Sequence, residues 1–408
     1  MPAIFPCFKS TTFIVNTVHR IRLKTISLTI LGLMSVESYF KREDEVEAKV
    51  YDEVYGIIKK TVGDEDLKFL RYVGFIIFKP DTVARGIAGK VAAEFKKREI
   101  YVWKPKKVYL TGEKLDKLYM FVKQKYANTW WVMEKVFRLA PCIVSLCIGN
   151  PKDFPHLPGR IRFEIGPTTP AAGKPGKIRY DFSGSNRIFN VVHATDDPAA
   201  CVREALIFYT KGEMKQAIKD AKSYALGGKT PQYEVKDETD KTCIDIFKII
   251  AVFKRRICNE LGNYNEYRDS TSLFIDLLEQ EERVIHETTE IRRRREELSP
   301  IYKREYELSI KMKEELEKNI RRYARKPGEY VLKIKVGSLI GKLESLITAL
   351  KILSSEREMA KIDMDRLLLE MMSFGIVKGG WEETLLHTTW AVMPQMIKDM
   401  KEAKTIVL

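Results

Sequence analysis

Tyr72-Val-Gly-Phe-Ile-Ile-Phe-Lys79-Pro-Asp-Thr-Val-Ala-Arg-Gly86 is the stretch on which the fold turns. Its first half is a short apolar run that a lysine, a proline and an aspartate bring to a stop, so it reads as a strand leading into a turn. Beyond the turn, Val83, Ile87, Val91 and Phe95 recur at spacings of four, the period of an amphipathic helix. Ile100 to Leu110 is β-branched and aromatic with lysines interleaved, a second strand. Residues 113–126 and 129–139 read as helices, Cys142-Ile-Val-Ser-Leu-Cys-Ile148 as a buried strand and Ile188-Phe-Asn-Val-Val-His193 as another. Pro198 to Tyr209 closes the series with a helix whose proline suits a first turn. Strands alternating with helices over about 140 residues call for a compact α/β or α+β layer.

The rest of the 408-residue chain differs in character. After residue 211 strand signals nearly vanish, and long helices are expected, broken at Pro300 and at Lys326-Pro-Gly328, with Gly227-Gly-Lys-Thr-Pro231 as a linker. Val336, Leu339, Leu343, Leu346, Leu350 and Leu353 alternate spacings of three and four, and Ala360, Met364, Leu367 and Met371 stay in phase. That seam fits either a coiled-coil-like pairing or the core side of a bundle helix. At the other end, residues 1–33 are poor in acid and carry the cluster Arg20-Ile-Arg22-Leu-Lys24. They lack the longer apolar region and cleavage site of a signal peptide, so they read as an extended start with Met34 as initiator, a targeting peptide being the alternative.

Composition narrows the function. With 45% hydrophobic residues the chain has core for several domains, yet no apolar run reaches the ~18–20 residues of a membrane span. Six cysteines are scattered singly without a CxxC pair, which argues against a disulfide scaffold or zinc site and fits a reducing, cytoplasmic setting. Of the net charge of +15, residues 1–210 carry +12. An anionic partner in the front half follows: phosphates, nucleotides or, less favoured, nucleic acid with steeply salt-dependent binding.

Chemistry concentrates between Phe75 and Tyr209. A histidine at a strand end, as His193 is, is by itself more often structural than catalytic. Two features change that reading. Glu204 lies eleven residues on, in the following helix, where its carboxylate can fix one ring nitrogen and leave the other as an oriented nucleophile. Cations also converge from separate segments: Lys79 at a strand end, then Arg162 and Arg179 around Gly166-Pro-Thr-Thr-Pro170. A transferring phosphoryl group needs positive charge spread over its oxygens, and guanidinium forks match them.

Four strings then stand in register. Phe75-Ile-Ile-Phe-Lys79-Pro-Asp-Thr-Val-Ala-Arg-Gly86 resembles the opening strand and turn of the nucleoside diphosphate kinases. Ile165-Gly-Pro-Thr168-Thr-Pro170, Gly173-Lys-Pro-Gly-Lys-Ile-Arg179-Tyr-Asp-Phe182 and Asn190-Val-Val-His193-Ala-Thr-Asp196 resemble that family's later motifs, in its order. The resemblance covers about residues 72–210 and implies a ferredoxin-like βαββαβ kinase domain with added helices, an α+β fold. The chain then divides into an N-terminal extension (1–70), the kinase-like domain (71–210) and an all-α, bundle or coiled-coil-like region (211–408).

Carried over residue by residue, the resemblance makes His193 the nucleophile that becomes phosphohistidine and Glu204 the residue orienting its ring. Lys79 reaches the ribose hydroxyl and the terminal phosphate, and Asn190 the ribose. Tyr119 takes the place of the tyrosine beside the phosphohistidine pocket. Arg162, Thr168 and Arg179 clamp phosphates, with Arg160 as a substitute for Arg162. Trp130, or Trp131, replaces the phenylalanine on which the base stacks, which implies broad base tolerance. The implied partners are nucleoside tri- and diphosphates and further copies of the chain in a homo-oligomer. Mg2+ comes with the nucleotide rather than on protein ligands, Asp196 being the nearest carboxylate able to touch it through water. The implied activity is γ-phosphate transfer by a ping-pong route; the alternative is a catalytically idle nucleotide-binding module serving the helical tail. Ala194 and Tyr180 stand where the family has glycine, one extra residue lies between Arg179 and His193, and Gly149 to Gly159 is long, its three prolines opposing the helix expected nearby.

Other signals are set aside. Gly227-Gly-Lys-Thr230 ends like a phosphate-binding loop, but the glycine required at position 223 is Ser223. His286-Glu-Thr-Thr-Glu290 lacks the second histidine of a zinc-protease helix. Arg292-Arg-Arg-Arg295 beside Glu296 and Glu297 reads as a solvated helix face, and Trp381, Trp390 and His387 as packing residues.

Overall fold

The structure, a computed structural model, describes residues 35–123, 130–237, 241–324 and 330–408. The basic cluster before residue 25, the alternative starts around Met34, the junction between the helices expected over 113–126 and 129–139, and Lys326-Pro-Gly328 all lie outside the described residues, as does the side chain of Val336.

In chain order the first elements are helix α1 (Glu45–Val62), strand β1 (Val73–Phe78), helices α2 (Pro80–Ala84) and α3 (Ala88–Lys97), and strand β2 (Ile100–Val108). Helices α4 (Gly112–Leu118) and α5 (Trp130–Leu139) precede strand β3 (Cys142–Gly149). Helix α6 (Leu157–Ile165), strand β4 (Val192–Ala194) and helices α7 (Pro198–Ala205) and α8 (Lys211–Ala225) follow. The four strands form one sheet in the order β2-β3-β1-β4, and β1 pairs antiparallel with β4, Ile77 opposite His193. That order, with helices in the connections, is the ferredoxin-like βαββαβ arrangement. Every residue of β1 and β3 is buried, as continuous apolar runs require of strands covered on both faces.

Three expectations for this part need correction. The helix read from Val83 to Phe95 is two helices, because Gly86 takes φ +60 and turns the chain between α2 and α3. The strand read from Ile188 to His193 is only Val192–Ala194, for a backbone reason taken up below. The prolines of the long connection do not prevent a helix: Pro158 falls in the first turn of α6, where its missing N–H goes unused.

The remainder is helical: α9 (Ile246–Leu261), α10 (Arg268–Glu287), α11 (Ile291–Ala324), α12 (Tyr330–Leu353), α13 (Asp365–Ser373) and α14 (Trp381–Glu402). Pro300 does not break a helix; it lies inside α11. Pro300 and Glu296, four residues before it, are both exposed, so the carbonyl deprived of its donor faces water. The leucine seam does not run through one helix either. Helix α12 ends at Leu353, a single turn over Glu356–Met359 follows with Ser355 as its cap, and α13 starts afresh. Leu343, Leu346, Leu350 and Leu353 are buried together with Ile347, Ala349 and Ile352, a stripe wide enough for a bundle core.

Arg294 and Arg295 likewise depart from the solvated face expected of them: both are buried. Arg294 donates to the Thr288 carbonyl and pairs with Asp245, while Arg295 donates to the Ile406 carbonyl and pairs with Glu356.

The chain falls into two compact units. Among the described residues, one comprises 35–75 with Leu146–Arg160 and Thr195–Pro231, built on α1, α7 and α8. Asp44 caps α1, Asp197 caps α7, and Thr210 with Glu213 forms a capping box on α8. The other comprises Ile76–Ser145, Ile161–Ala194 and Gln232–Leu408. Its core runs from the helical region into Val132 and Val136 of α5 and into Ala171, Tyr180, Ile188 and Phe189 of the long loop between α6 and β4. No helix among the described residues is long and apolar enough to cross a membrane.

Candidate active site

Three segments distant in sequence meet at the end of β1. Lys79 caps α2, with Pro80 at the first helical position, and its backbone N–H donates to the Val191 carbonyl at 3.0 Å. The Lys79 ammonium is 4% exposed and donates to the Ile188 carbonyl and, at 3.0 Å, to Asn190 Oδ1. Asn190 Nδ2 in turn donates to the carbonyls of Thr168 (3.1 Å) and Arg187 (2.9 Å), which joins the loop after α6 to the segment before β4. Gly184 is required beside it, since a Cβ there would come within 3.1 Å of the Asn190 Cα and 2.7 Å of Pro170.

Val191 explains the short fourth strand. It has φ +75, and the Val192 N–H donates back to the Asn190 carbonyl at 2.9 Å, closing a three-residue turn. A β-branched residue in that region is strained and persists only where its surroundings over-determine it. They do so here: the Val191 N–H donates to Asp81 Oδ2 at 3.0 Å, and its carbonyl accepts from the Lys79 N–H and the Thr82 hydroxyl. The first turn of α2 thus grips the peptide two residues before His193. Asp81 and Thr82 were not singled out from sequence, although both lie in the string Lys79-Pro-Asp-Thr82. Their place beside Lys79 in that string was the available signal.

Arg179 sits on a single helical turn, Ile178–Asp181. It is 3% exposed and donates through Nε and one terminal nitrogen to the Val192 carbonyl, at 3.2 and 2.8 Å, and through the other to the Gly166 carbonyl at 3.1 Å. His193 is half-buried, and its ring lies edge-on to that of Tyr119, centroids 5.6 Å apart. Tyr119 also meets Trp130 at 5.9 Å. Trp130 is 8% exposed and its indole N–H has no partner, whereas Trp131 is 41% exposed and stands 4.3 Å from the ring of His387.

Electrostatics follow from this burial. Burial, reinforced by the charge of Arg179, pulls Lys79 down to about 8, against the opposing pull of Asp81. Burial and then the neighbouring Arg162 pull Arg179 down to about 9. Burial pushes the Asp81 carboxyl up in spite of Lys79 and Arg85. Among the described residues neither Lys79 nor Arg179 forms a salt bridge within 4.0 Å. These are desolvated cations answered by carbonyl dipoles, an arrangement that an incoming polyanion completes.

Three further candidates belong to the first unit. Arg160 belongs to the first unit, buried, donating to the Asn150 carbonyl. Glu204 is buried on α7 of that unit, accepting from Arg203 at 2.8 Å, and Asp196 is exposed in the preceding turn. No cluster of three or more His, Cys, Asp or Glu able to hold a metal occurs among the described residues. Lys79 and Arg179, on the backbone that leads to His193, are cations, and such surroundings suit a metal ion only when it arrives already bound to phosphates.

Comparison with known proteins bears on the family. Residues 73–214 match the sequence model of the family described as nucleoside diphosphate kinase. The nucleoside diphosphate kinase of Saccharolobus solfataricus is 30% identical over 140 residues, 34% of this chain and 96% of that protein. That of Parabacteroides distasonis is 31% identical over 139 residues, 34% of this chain and 86% of that protein. The solved nucleoside diphosphate kinase of Aquifex aeolicus superposes with a TM-score of 0.31 at 23% identity, covering 34% of this chain and 94% of that one.

Proposed function

Residues 73–214 make this chain a member of the nucleoside diphosphate kinase family, and from that premise we propose that it moves the γ-phosphoryl group of a nucleoside triphosphate to a nucleoside diphosphate through His193. A ring nitrogen of His193 attacks the γ-phosphorus, the bond from that phosphorus to the β–γ bridging oxygen breaks, and its electron pair leaves with the diphosphate. A second diphosphate then takes the group from the phosphohistidine by the reverse displacement. Both half-reactions share one chemistry, so one site serves donor and acceptor.

Each side chain has a task in this reading. Lys79 and Arg179 meet charge on the transferring group, and Arg162, whose field already reaches Arg179, adds to it. Thr168 flanks the phosphates and Asn190 orients Lys79 and the ribose. Tyr119 sits against the nucleophilic ring, and Trp130 supplies an aromatic surface for the base. Glu204 is the residue that the family resemblance assigns to steer the ring. The substrate is the magnesium complex of the nucleotide, the metal bringing water ligands and partial neutralisation of the phosphates.

The single observation that carries the proposal is the pair of buried cations, Lys79 and Arg179, held without a carboxylate salt bridge on oxygens of the segment 188–192 that leads into His193. A core does not bury such charge for stability. The test is phosphate exchange between ATP and a second nucleoside diphosphate. His193→Ala is expected to abolish exchange while ADP binding is retained; exchange in that variant contradicts the role of His193, and none in the wild type contradicts the reaction and favours an idle nucleotide-binding module.

A further inference from the structure

The helical region reaches the loop between α6 and β4 through side chains that the proposed reaction does not use. Asp399, near the end of α14, accepts from the hydroxyl of Thr169 and from the guanidinium of Arg187. Arg187 also donates to Thr169 Oγ1 at 3.1 Å, so the three form a closed triangle. Burial pushes the Asp399 carboxyl up, but hydrogen bonds from Thr169 and Gln395 and the charge of Arg187 bring it below the usual carboxylate range. Three further ties join the same surfaces. Asn186 Nδ2 donates to the hydroxyls of Thr388 and Thr389 at 3.0 and 2.9 Å. Thr405 Oγ1 donates to the Ala171 carbonyl at 3.0 Å, and the Arg292 N–H donates to the Tyr180 hydroxyl at 3.1 Å.

These contacts lead to the phosphate cations in few steps. Thr169 follows Thr168, and the carbonyls of Thr168 and Arg187 are the two acceptors of Asn190 Nδ2. Asn190 Oδ1 holds the Lys79 ammonium. Asp399 therefore fixes both sides of the cradle in which Asn190 lies, and Asn190 aims Lys79. Tyr180, where the family has glycine, points into the core shared with the helical region and ends on α11.

We propose that Asp399 is a positioning residue of the phosphate-binding loop, through which the helical region holds Thr168, Arg187, Asn190 and Lys79 in the arrangement that receives a nucleoside diphosphate. This rests on reading that loop as the phosphate cradle. A loop already fixed in its binding geometry loses little freedom when the nucleotide arrives, and the affinity reflects the saving.

The test compares three variants of the full chain with the wild type: Asp399→Asn, Asp399→Glu, and Glu382→Ala. Glu382 pairs with Arg256 at the opposite end of α14 and serves as a control for weakened docking of that helix. ADP affinity is read by calorimetry and exchange by kinetics. Asp399→Asn is expected to weaken ADP binding by about tenfold to a hundredfold, the worth of a charge-assisted contact. KM for donor and acceptor should rise by a common factor, since one site serves both. Asp399→Glu should recover most of the loss, and Glu382→Ala should lower the unfolding midpoint with affinity unchanged. Unchanged affinity in Asp399→Asn, or an equal loss in Glu382→Ala, overturns the proposal. A wild type that binds ADP without exchanging phosphate, beside a weakened Asp399→Asn, overturns the exchange reaction and leaves the positioning role standing.

Discussion

Lys79 shows what burial costs one cationic side chain. Protonated and buried, it carries a cost of roughly 3 kcal/mol at neutral pH, the worth of a fall from 10.5 to about 8. The unfolded chain binds the proton more tightly, so this penalty is full below pH 8 and shrinks as pH rises from 8 toward 10.5. A bound polyphosphate offsets it by raising the ammonium back. Binding then draws in a proton wherever the free protein has lost it, which is above about pH 8. ADP affinity is expected to be flat below that pH and to fall above it, by at most about tenfold per unit. Calorimetry in two buffers of different ionisation heat should show proton uptake near pH 8.5 that drops in Lys79→Arg to the smaller part contributed by Arg179; uptake unchanged by that substitution would contradict the assignment. Lys79 was legible as a site candidate because an apolar strand ends on it. Its partners Asp81 and Thr82 were not, because their work is done on the backbone of Val191, which no side-chain pattern announces.

At the scale of elements, the same turn governs β4. Six consecutive residues from Ile188 read as strand by composition, yet Asn190 and Val191 are spent on a three-residue turn that aims His193. Asp81→Ala removes the acceptor of the Val191 N–H and is expected to lower kcat by about a hundredfold, the cost of an ångström-scale misplacement. Asp81→Asn, which keeps an acceptor oxygen, should recover much of it; equal kcat in wild type and Asp81→Ala would show that the turn does not set the ring. In α11 the buried stripe Ile291, Arg294, Arg295, Leu298, Tyr302, Glu305 keeps helical period although half of it carries a charged side chain. Charge there does not mean solvent, and the helical period is the better guide to burial. Because Arg295 and Glu356 are both buried, Glu356→Ala leaves an unpaired cation and should cost about 3–5 kcal/mol in urea unfolding, against less than 1 for a surface pair.

Across the whole molecule, legibility divides along the chain. Between residues 72 and 210, apolar strand runs such as Cys142–Gly149 made the element order and an α/β or α+β layer readable, and the βαββαβ fold came from the family resemblance of four motifs. Over 211–408, helix content was readable and helix boundaries were not, because Pro300 is tolerated where its orphaned carbonyl meets water and the leucine phase continues by coincidence across the end of α12. Least legible was the tie between the two regions: Asp399, Asn186, Thr405 and Tyr180 carry no local signature, since each pairs with residues more than a hundred positions away. The central claim concerns one imidazole. The most direct measurement incubates the full chain with Mg-ATP labelled on the γ-phosphate and maps the phosphorylated peptide. The account predicts one acid-labile, alkali-stable phosphoryl group on His193 that ADP removes as ATP; label that survives acid, resides on another residue, or cannot be discharged by ADP would contradict it.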